Sequence, residues 1–113
     1  MTLQELGTIM QTGLNVKIIV LNNQFLGMVR QWQELFNDRR YSFVDIQSPD
    51  YVELAKSYRI DGQKVSERSF LKKALKDMLD NPNAYLLEIM VGKENNVFPM
   101  VPQGCSVSEI RLS

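Results

Sequence analysis

The stretch VKIIVLNNQFLGMVRQWQELF, residues 16–36, decides the fold, because its hydrophobic period changes partway along. Val16, Ile18, Ile19, Val20 and Leu21 form an apolar run broken only by Lys17, the pattern of a strand in a sheet covered on both faces. Asn22 and Asn23 stop that run. Beyond them Leu26, Met28, Val29, Trp32, Leu35 and Phe36 recur at steps of three and four, one broad stripe on a helix that predicts a core-facing side. A strand passing through a short polar turn into a helix is half of a βαβ unit. In open α/β sheets ligands bind at the carboxyl ends of strands, which puts Asn22 to Gly27 at the working end.

Working outward, Thr2 and Glu5 have capping-box spacing, and Leu3, Leu6, Ile9 and Met10 follow at helical intervals up to Gly13, which predicts a helix over 3–12. A doubly wound domain usually opens with a strand, so this helix-first order predicts a chain cut from something longer. Residues 37–47 show no sustained period and read as a surface loop. Ser48-Pro49-Asp50 is a helix start, with Ser48 as the cap, Pro49 as the first helical residue and a helix over 50–58. A short strand follows at 62–65. A helix over 67–80 then carries Phe70, Leu71, Ala74, Leu75, Met78 and Leu79 on its inward side and ends at Asn81-Pro82-Asn83. AYLLEIMV, residues 84–91, is a second buried strand. The expected fold is therefore α/β, a parallel sheet flanked by helices. The tail from Gly92 carries two prolines among apolar residues, Phe98-Pro99-Met100-Val101-Pro102, which suits a stiff strap closing over a core.

Composition limits the function. A chain of 113 residues is one domain at most, and 44% hydrophobic with 23% charged residues is ordinary for a globular protein. Thirteen basic and thirteen acidic residues leave no net field, so no nucleic-acid or membrane partner is expected. The apolar runs are too short to span a bilayer, and the first five residues lack the basic and apolar regions of a signal peptide. The absence of histidine removes Ser-His-Asp and Cys-His nucleophilic schemes. Cys105 has no basic sequence neighbour and reads as an inert thiol, and a single cysteine fits a reducing, cytoplasmic compartment.

Three features have chemical potential. Asparagine oxygens and strand-end carbonyls between Asn22 and Phe25 are hard ligands suited to magnesium or calcium, although no carboxylate of the kind magnesium wants lies in that loop. The helix beginning near Leu26 would aim its first amides at an anion, and Gly27 permits close approach, so a phosphate is the natural guest. The plainer account is a simple turn, where asparagine is common for its own backbone hydrogen bonding. Met28 and Trp32, four residues apart, read first as core, and alternatively as the lining of an apolar pocket.

The run Leu21 to Phe36, with Gly27-Met28-Val29-Arg30-Gln31-Trp32-Gln33 at its centre, resembles the large catalytic subunit of acetohydroxyacid (acetolactate) synthases. Thr2 to Leu6, Arg40-Tyr41-Ser42 and Asn96 to Pro102 carry the resemblance over essentially all of the chain. These are thiamine diphosphate enzymes, whose cofactor motif opens with Gly-Asp-Gly and closes with Asn-Asn. Only the closing half is present, so the resemblance implies residues 1–113 as the C-terminal portion of a thiamine diphosphate-binding domain, a truncated fold.

It further implies that Asn23, Gln24, Phe25, Leu26, Gly27 and Met28 bind the cofactor. Magnesium would be held by the Asn23 side chain and the Phe25 main-chain carbonyl, with the missing Asp as third protein ligand. Met28, Val29 and Trp32 would line the substrate channel, where Trp32 favours the larger second substrate and also contacts herbicides. The family reaction is decarboxylation of pyruvate and condensation with a second 2-oxo acid, pyruvate or 2-oxobutyrate, in branched-chain amino acid biosynthesis. The activating glutamate belongs to a neighbouring subunit and FAD binds through another domain, so no catalytic residue is expected in this chain and the isolated chain is expected to be inactive. The resemblance also implies homodimers or homotetramers and a small regulatory subunit. Two other classes stand beside it: a stand-alone non-catalytic α/β binding or regulatory module, and a flavodoxin-type phosphate binder, against which counts the lack of a glycine-rich loop after a strand.

Overall fold

Gly13 stops the first helix as its sequence position suggests, adopting φ 65° and donating its N–H to the Ile9 carbonyl. In this computed structural model, which describes residues 2–112, that helix is α1 (Glu5–Thr12). Met1, which bears on the leader-peptide reading, and Ser113 lie outside the described residues. The capping box is not formed: Gln4 occupies the cap position with no side-chain bond, and Glu5 accepts from Thr8 Oγ1 instead. Thr2 lies too far ahead of the first turn, because the helix starts two residues later than the apolar spacing implied.

The remaining elements are β1 (Lys17–Asn22), α2 (Gly27–Phe36), α3 (Tyr51–Ser57), β2 (Asp61–Val65), α4 (Arg68–Asp80) and β3 (Tyr85–Met90). The cap of α3 is Asp50, whose Oδ1 accepts from the Val52 and Glu53 amides at 3.0 and 2.9 Å. The expected Ser48 cap is thereby corrected. A carboxylate adjacent to the first turn reaches two orphan amides at once, and Ser48 is left two residues upstream for other work.

Two compact units divide the chain. The first comprises the residues up to Asn23 together with Gln47–Val91, and the second comprises Gln24–Ile46 with the tail from Gly92. In the first, β3 lies between β1 and β2, and both pairings are parallel, Ile18 opposite Leu86 and Gly62 opposite Leu86. The connection β2–α4–β3 is the crossover that parallel neighbours require. Gly62 has a packing reason: a Cβ there would stand 3.0 Å from the Leu86 carbonyl oxygen.

The two sheet faces have separate cores. Leu6 of α1, Ala55 of α3, Ile60 and Leu86 pack together on one face with Ile18 and Val20, while Ala74 and Met78 of α4 pack with Val65, Tyr85 and Leu87 on the other. The central strand β3 is covered on both sides, by α3 and by α4, and so is β2. The expectation that the strand at 16–22 is buried on both faces fails, since Ile19 and Leu21 are 47% and 67% exposed. β1 is an edge strand, and α4 packs against β2 and β3 instead. Phe70 and Leu79, expected inward on α4, are likewise exposed, because the narrow contact of one helix on two strands buries only Ala74 and Met78 fully. Lys17, the interruption in the run, spans to the end of α4, where its Nζ donates to the Asn81 carbonyl at 2.7 Å and to that of Asn83. A cation there complements a helix C-terminus that has no basic residue of its own in the last turn.

In the second unit α2 inverts its expected polarity. Arg30 and Gln31 are the buried residues of this helix, while Leu26, Met28, Val29 and Phe36 are exposed, so the predicted core-facing stripe is corrected to an outward one. The buried polar side is satisfied by the tail. Gln31 donates from Nε2 to the Val97 carbonyl at 2.9 Å and accepts from the Val97 amide at 2.7 Å, a two-bond clasp on an extended backbone. Gln33 makes the same clasp on Ser42, at 3.0 and 2.8 Å. The tail closes on itself where Met100 and Arg111 exchange both backbone bonds.

Candidate functional site

Asn22 and Asn23 have different structural situations. Asn22 is the last rung of β1: its carbonyl accepts from the Val91 amide at 3.0 Å, and its side chain is buried. The side-chain Nδ2 donates to Glu88 Oε1 at 2.7 Å, and Oδ1 accepts from Ser48 Oγ at 3.5 Å. These ties make Asn22 an anchor. Asn23, partly buried, is the first residue past the strand and closes the first unit. Of the two amides, it is the one placed at the carboxyl end of a strand rather than within it.

Polarity changes along one face of the sheet toward that end. From the apolar level of Ile18, Leu86 and Gly62 the register climbs to Val20, Glu88 and Lys64 and then to Asn22. Glu88 is fully buried, with Lys64 Nζ 3.5 Å from its Oε1. On the opposite face the central strand stays apolar, through Tyr85 and Leu87 to Ile89. Glu88 and Ser48 were not singled out from sequence, yet a lone carboxylate inside AYLLEIMV is a visible signal of a buried charge.

In the second unit Gln24 adopts φ 59°, and its carbonyl accepts from the Ile46 amide at 2.8 Å. The Leu26 amide donates to the Val44 carbonyl at 2.8 Å, and Phe25 bridges antiparallel to Asp45 between them. Gln24, Phe25 and Leu26 are thus fixed as a short ladder that leads into α2. Leu26 caps that helix without any side-chain bond, and no acidic residue stands in its first turn. The first amides, at Gly27, Met28 and Val29, stand at the positive end of the helix dipole, which favours an anion.

Met28, Val29, Trp32 and Phe36 share one side of α2 by their spacing. Met28 and Val29 are about half exposed, and the Trp32 and Phe36 rings lie 4.8 Å apart with a 32° tilt. Met28 is exposed and Trp32 half-buried, which replaces the reading of Met28 and Trp32 as core. Beside it, Arg30 bonds to Glu34 at 3.1 Å, Glu94 at 2.9 Å and the Lys93 carbonyl at 3.1 Å, with its guanidinium 4.7 Å from the Tyr41 ring centre. The Tyr41 phenol is pushed up by desolvation, against the pull of the Arg30 charge and with a further rise from Glu34. A concavity of about 310 Å³ lined by Phe25, Arg30, Tyr41 and Lys93 lies here. The larger groove, about 900 Å³, follows α4 and holds none of the candidate residues. Among the described residues no three His, Cys, Asp or Glu side chains converge on a metal position.

Comparison with known proteins places this arrangement. A family profile described as thiamine pyrophosphate enzyme, C-terminal TPP binding domain, matches residues 1–89. The chain is 42% identical over 112 residues to the acetolactate synthase large subunit of Parasynechococcus marenigrum (strain WH8102), covering 97% of this chain and 18% of that protein. It is 43% identical over 111 residues to the acetolactate synthase isozyme 2 large subunit of Escherichia coli (strain K12), covering 97% of this chain and 20% of the relative. The chain thus spans about a fifth of the length of the curated relatives it matches. Among solved structures, the thiamine diphosphate-dependent 4-hydroxybenzoylformate decarboxylase of Rhodococcus jostii RHA1 superposes with a TM-score of 0.70 at 27% identity, covering 80% of this chain and 17% of that one. The profile match over residues 1–89 means that the chain belongs to the thiamine pyrophosphate enzymes, in the family of their C-terminal TPP binding domain.

Proposed function

We propose that the chain is the cofactor-binding C-terminal part of an acetolactate synthase large subunit, acting on pyruvate and a second 2-oxo acid, pyruvate or 2-oxobutyrate. The observation that carries this reading is the 42–43% identity to such subunits over 97% of the chain. The residues present fit thiamine diphosphate and magnesium. Asn23 offers an amide oxygen and Phe25 a main-chain carbonyl to the metal, both hard donors, and the first amides of α2 suit a diphosphate. Gln24, Leu26, Gly27 and Met28 complete the cofactor loop. When bound, thiamine diphosphate supplies the carbanion chemistry of decarboxylation and carbon–carbon bond formation.

The chain's own residues position and select. Met28, Val29 and Trp32 present an apolar side to the acceptor, where a tryptophan face gains contact with an ethyl group that a methyl group cannot fill. The third metal ligand, the activating glutamate and the FAD-binding domain lie outside these 113 residues. The whole enzyme assembles as a homodimer or homotetramer with a small regulatory subunit, in the cytoplasm, within branched-chain amino acid biosynthesis.

Missing parts set the test. Magnesium demands near-octahedral oxygen coordination, and this chain offers two protein ligands of the required set. Calorimetric titration of the isolated chain with thiamine diphosphate and magnesium is expected to give no micromolar binding, and a parallel assay no pyruvate consumption above a heat-killed control. Either signal would refute this division of labour. An in-frame Gly-Asp-Gly encoded upstream is the expected genomic counterpart.

A further inference from the structure

We propose that Glu88 is a positioning residue for the Asn22–Asn23 corner, fixing the strand end from which the metal-binding asparagine projects. This rests on the reading of Asn23 as a metal ligand. Glu88 sits on the central strand, fully buried, one register level below Asn22 on the same face. Its Oε1 accepts from Asn22 Nδ2 at 2.7 Å and faces Lys64 Nζ at 3.5 Å, whereas Oε2 is buried with no hydrogen-bond partner among the described residues. A carboxylate in that state is a poor choice for core stability, because an unsatisfied buried oxygen bears its full desolvation cost and an apolar residue of similar size would not.

What Glu88 does accomplish is orientation. An asparagine amide rotates readily between donor and acceptor faces, and a carboxylate, which only accepts, permits one of them. With Nδ2 held on Glu88, Oδ1 is directed to Ser48 Oγ, and the Asn22 backbone is held in turn by the Val91 amide. Three partners on two segments, Glu88 and Val91 at the end of β3 and Ser48 ahead of α3, thus fix the last residue before Asn23. Lys64 is nearly half exposed, so its ammonium balances the buried charge while solvent still reaches it.

Hydrogen exchange by NMR on the 113-residue chain tests this without any ligand. Glu88→Leu is expected to raise exchange at Asn22 Nδ2 and at the Val91 amide about tenfold, the equivalent of one charge-assisted bond, with the Leu86 and Leu87 amides unchanged. Glu88→Gln, which keeps an acceptor oxygen for Asn22 but loses the charge and can also donate, should lose less protection than Glu88→Leu. Should the leucine variant not fold, Glu88→Asp decides: it keeps the charge but withdraws the carboxylate by one methylene, and the same loss at Asn22 is expected. Unchanged exchange at Asn22 Nδ2, or equal loss at Leu86 and Leu87, overturns the proposal. A second arm titrates millimolar magnesium and thiamine diphosphate while following the Asn23 side-chain amide, and the leucine variant should need about tenfold more ligand for the same shift. No response at Asn23 in the wild-type chain overturns the metal reading of the corner, while the ligand-free exchange still decides Glu88.

Discussion

Replacing Gln31 by methionine separates the clasp on the tail from the packing of the side chain. Gln31 is 1% exposed and makes two bonds to the Val97 backbone, at 2.9 and 2.7 Å. Methionine conserves the length and most of the volume, so the cavity cost of an alanine is avoided. Each lost bond is worth roughly 1 kcal/mol net. Val97 itself is 60% exposed, so its freed N–H and C=O can turn to water, and the larger penalty of a stranded buried group does not apply. The sum is about 2 kcal/mol, roughly a 30-fold shift in a local opening equilibrium. Amide exchange at Val97 should accelerate by about that factor in Gln31→Met, with the Leu86 and Leu87 amides of β3 unaffected because they belong to the other unit. Unchanged exchange at Val97 would show that the tail is held elsewhere, and equal acceleration in β3 would show that Gln31 supports the whole chain.

In the full-length synthase proposed to contain this chain, Trp32→Leu should lower the preference for 2-oxobutyrate over pyruvate by about 1–3 kcal/mol, together with sensitivity to channel-binding herbicides, as read by product ratios in a competition assay. An unchanged ratio would remove Trp32 from the channel. Asp50→Ala deletes the acceptor of two α3 amides and should cost about 0.5–2 kcal/mol in urea unfolding; no measurable change would mean that Ser48 or water serves as the cap. Tyr85 has its phenol pushed above the ordinary 10.0, first by burial and then by Asp77 and Asp61, with Lys73 opposing. A raised folded-state pKa contributes stability that is complete below 10.0 and is lost as pH rises through the folded value. Thermal midpoints between about pH 9 and pH 12 should therefore fall, and Tyr85→Phe should flatten that fall; identical curves would refute it.

The sequence by itself determined the order and kind of the elements and the parallel pairing. These are local or near-local properties. A change of period from two to 3.6, a glycine able to take φ 65° at Gly13, and the length of a helix between β2 and β3 each restrict the backbone without reference to distant residues. The family motif was equally legible, since Asn22, Asn23 and the GMVRQWQ run are contiguous.

Only the tertiary structure decided which of two permitted sides is buried. The α2 stripe of Met28, Val29 and Trp32 had the period of a core helix, yet Arg30 and Gln31 face inward because a tail more than sixty residues away supplies backbone partners for them. Ile19 and Leu21 read as a buried strand and are exposed, because β3 rather than β1 takes the centre of the sheet. Glu88 stands out as a lone charge in an apolar run, but only the register sets it beside Asn22 and Lys64. Periodicity encodes a helix face or a strand face. Burial depends on what the rest of the chain brings to that face, and here the partners are remote in sequence and bind through hydrogen bonds that leave no hydrophobic signature.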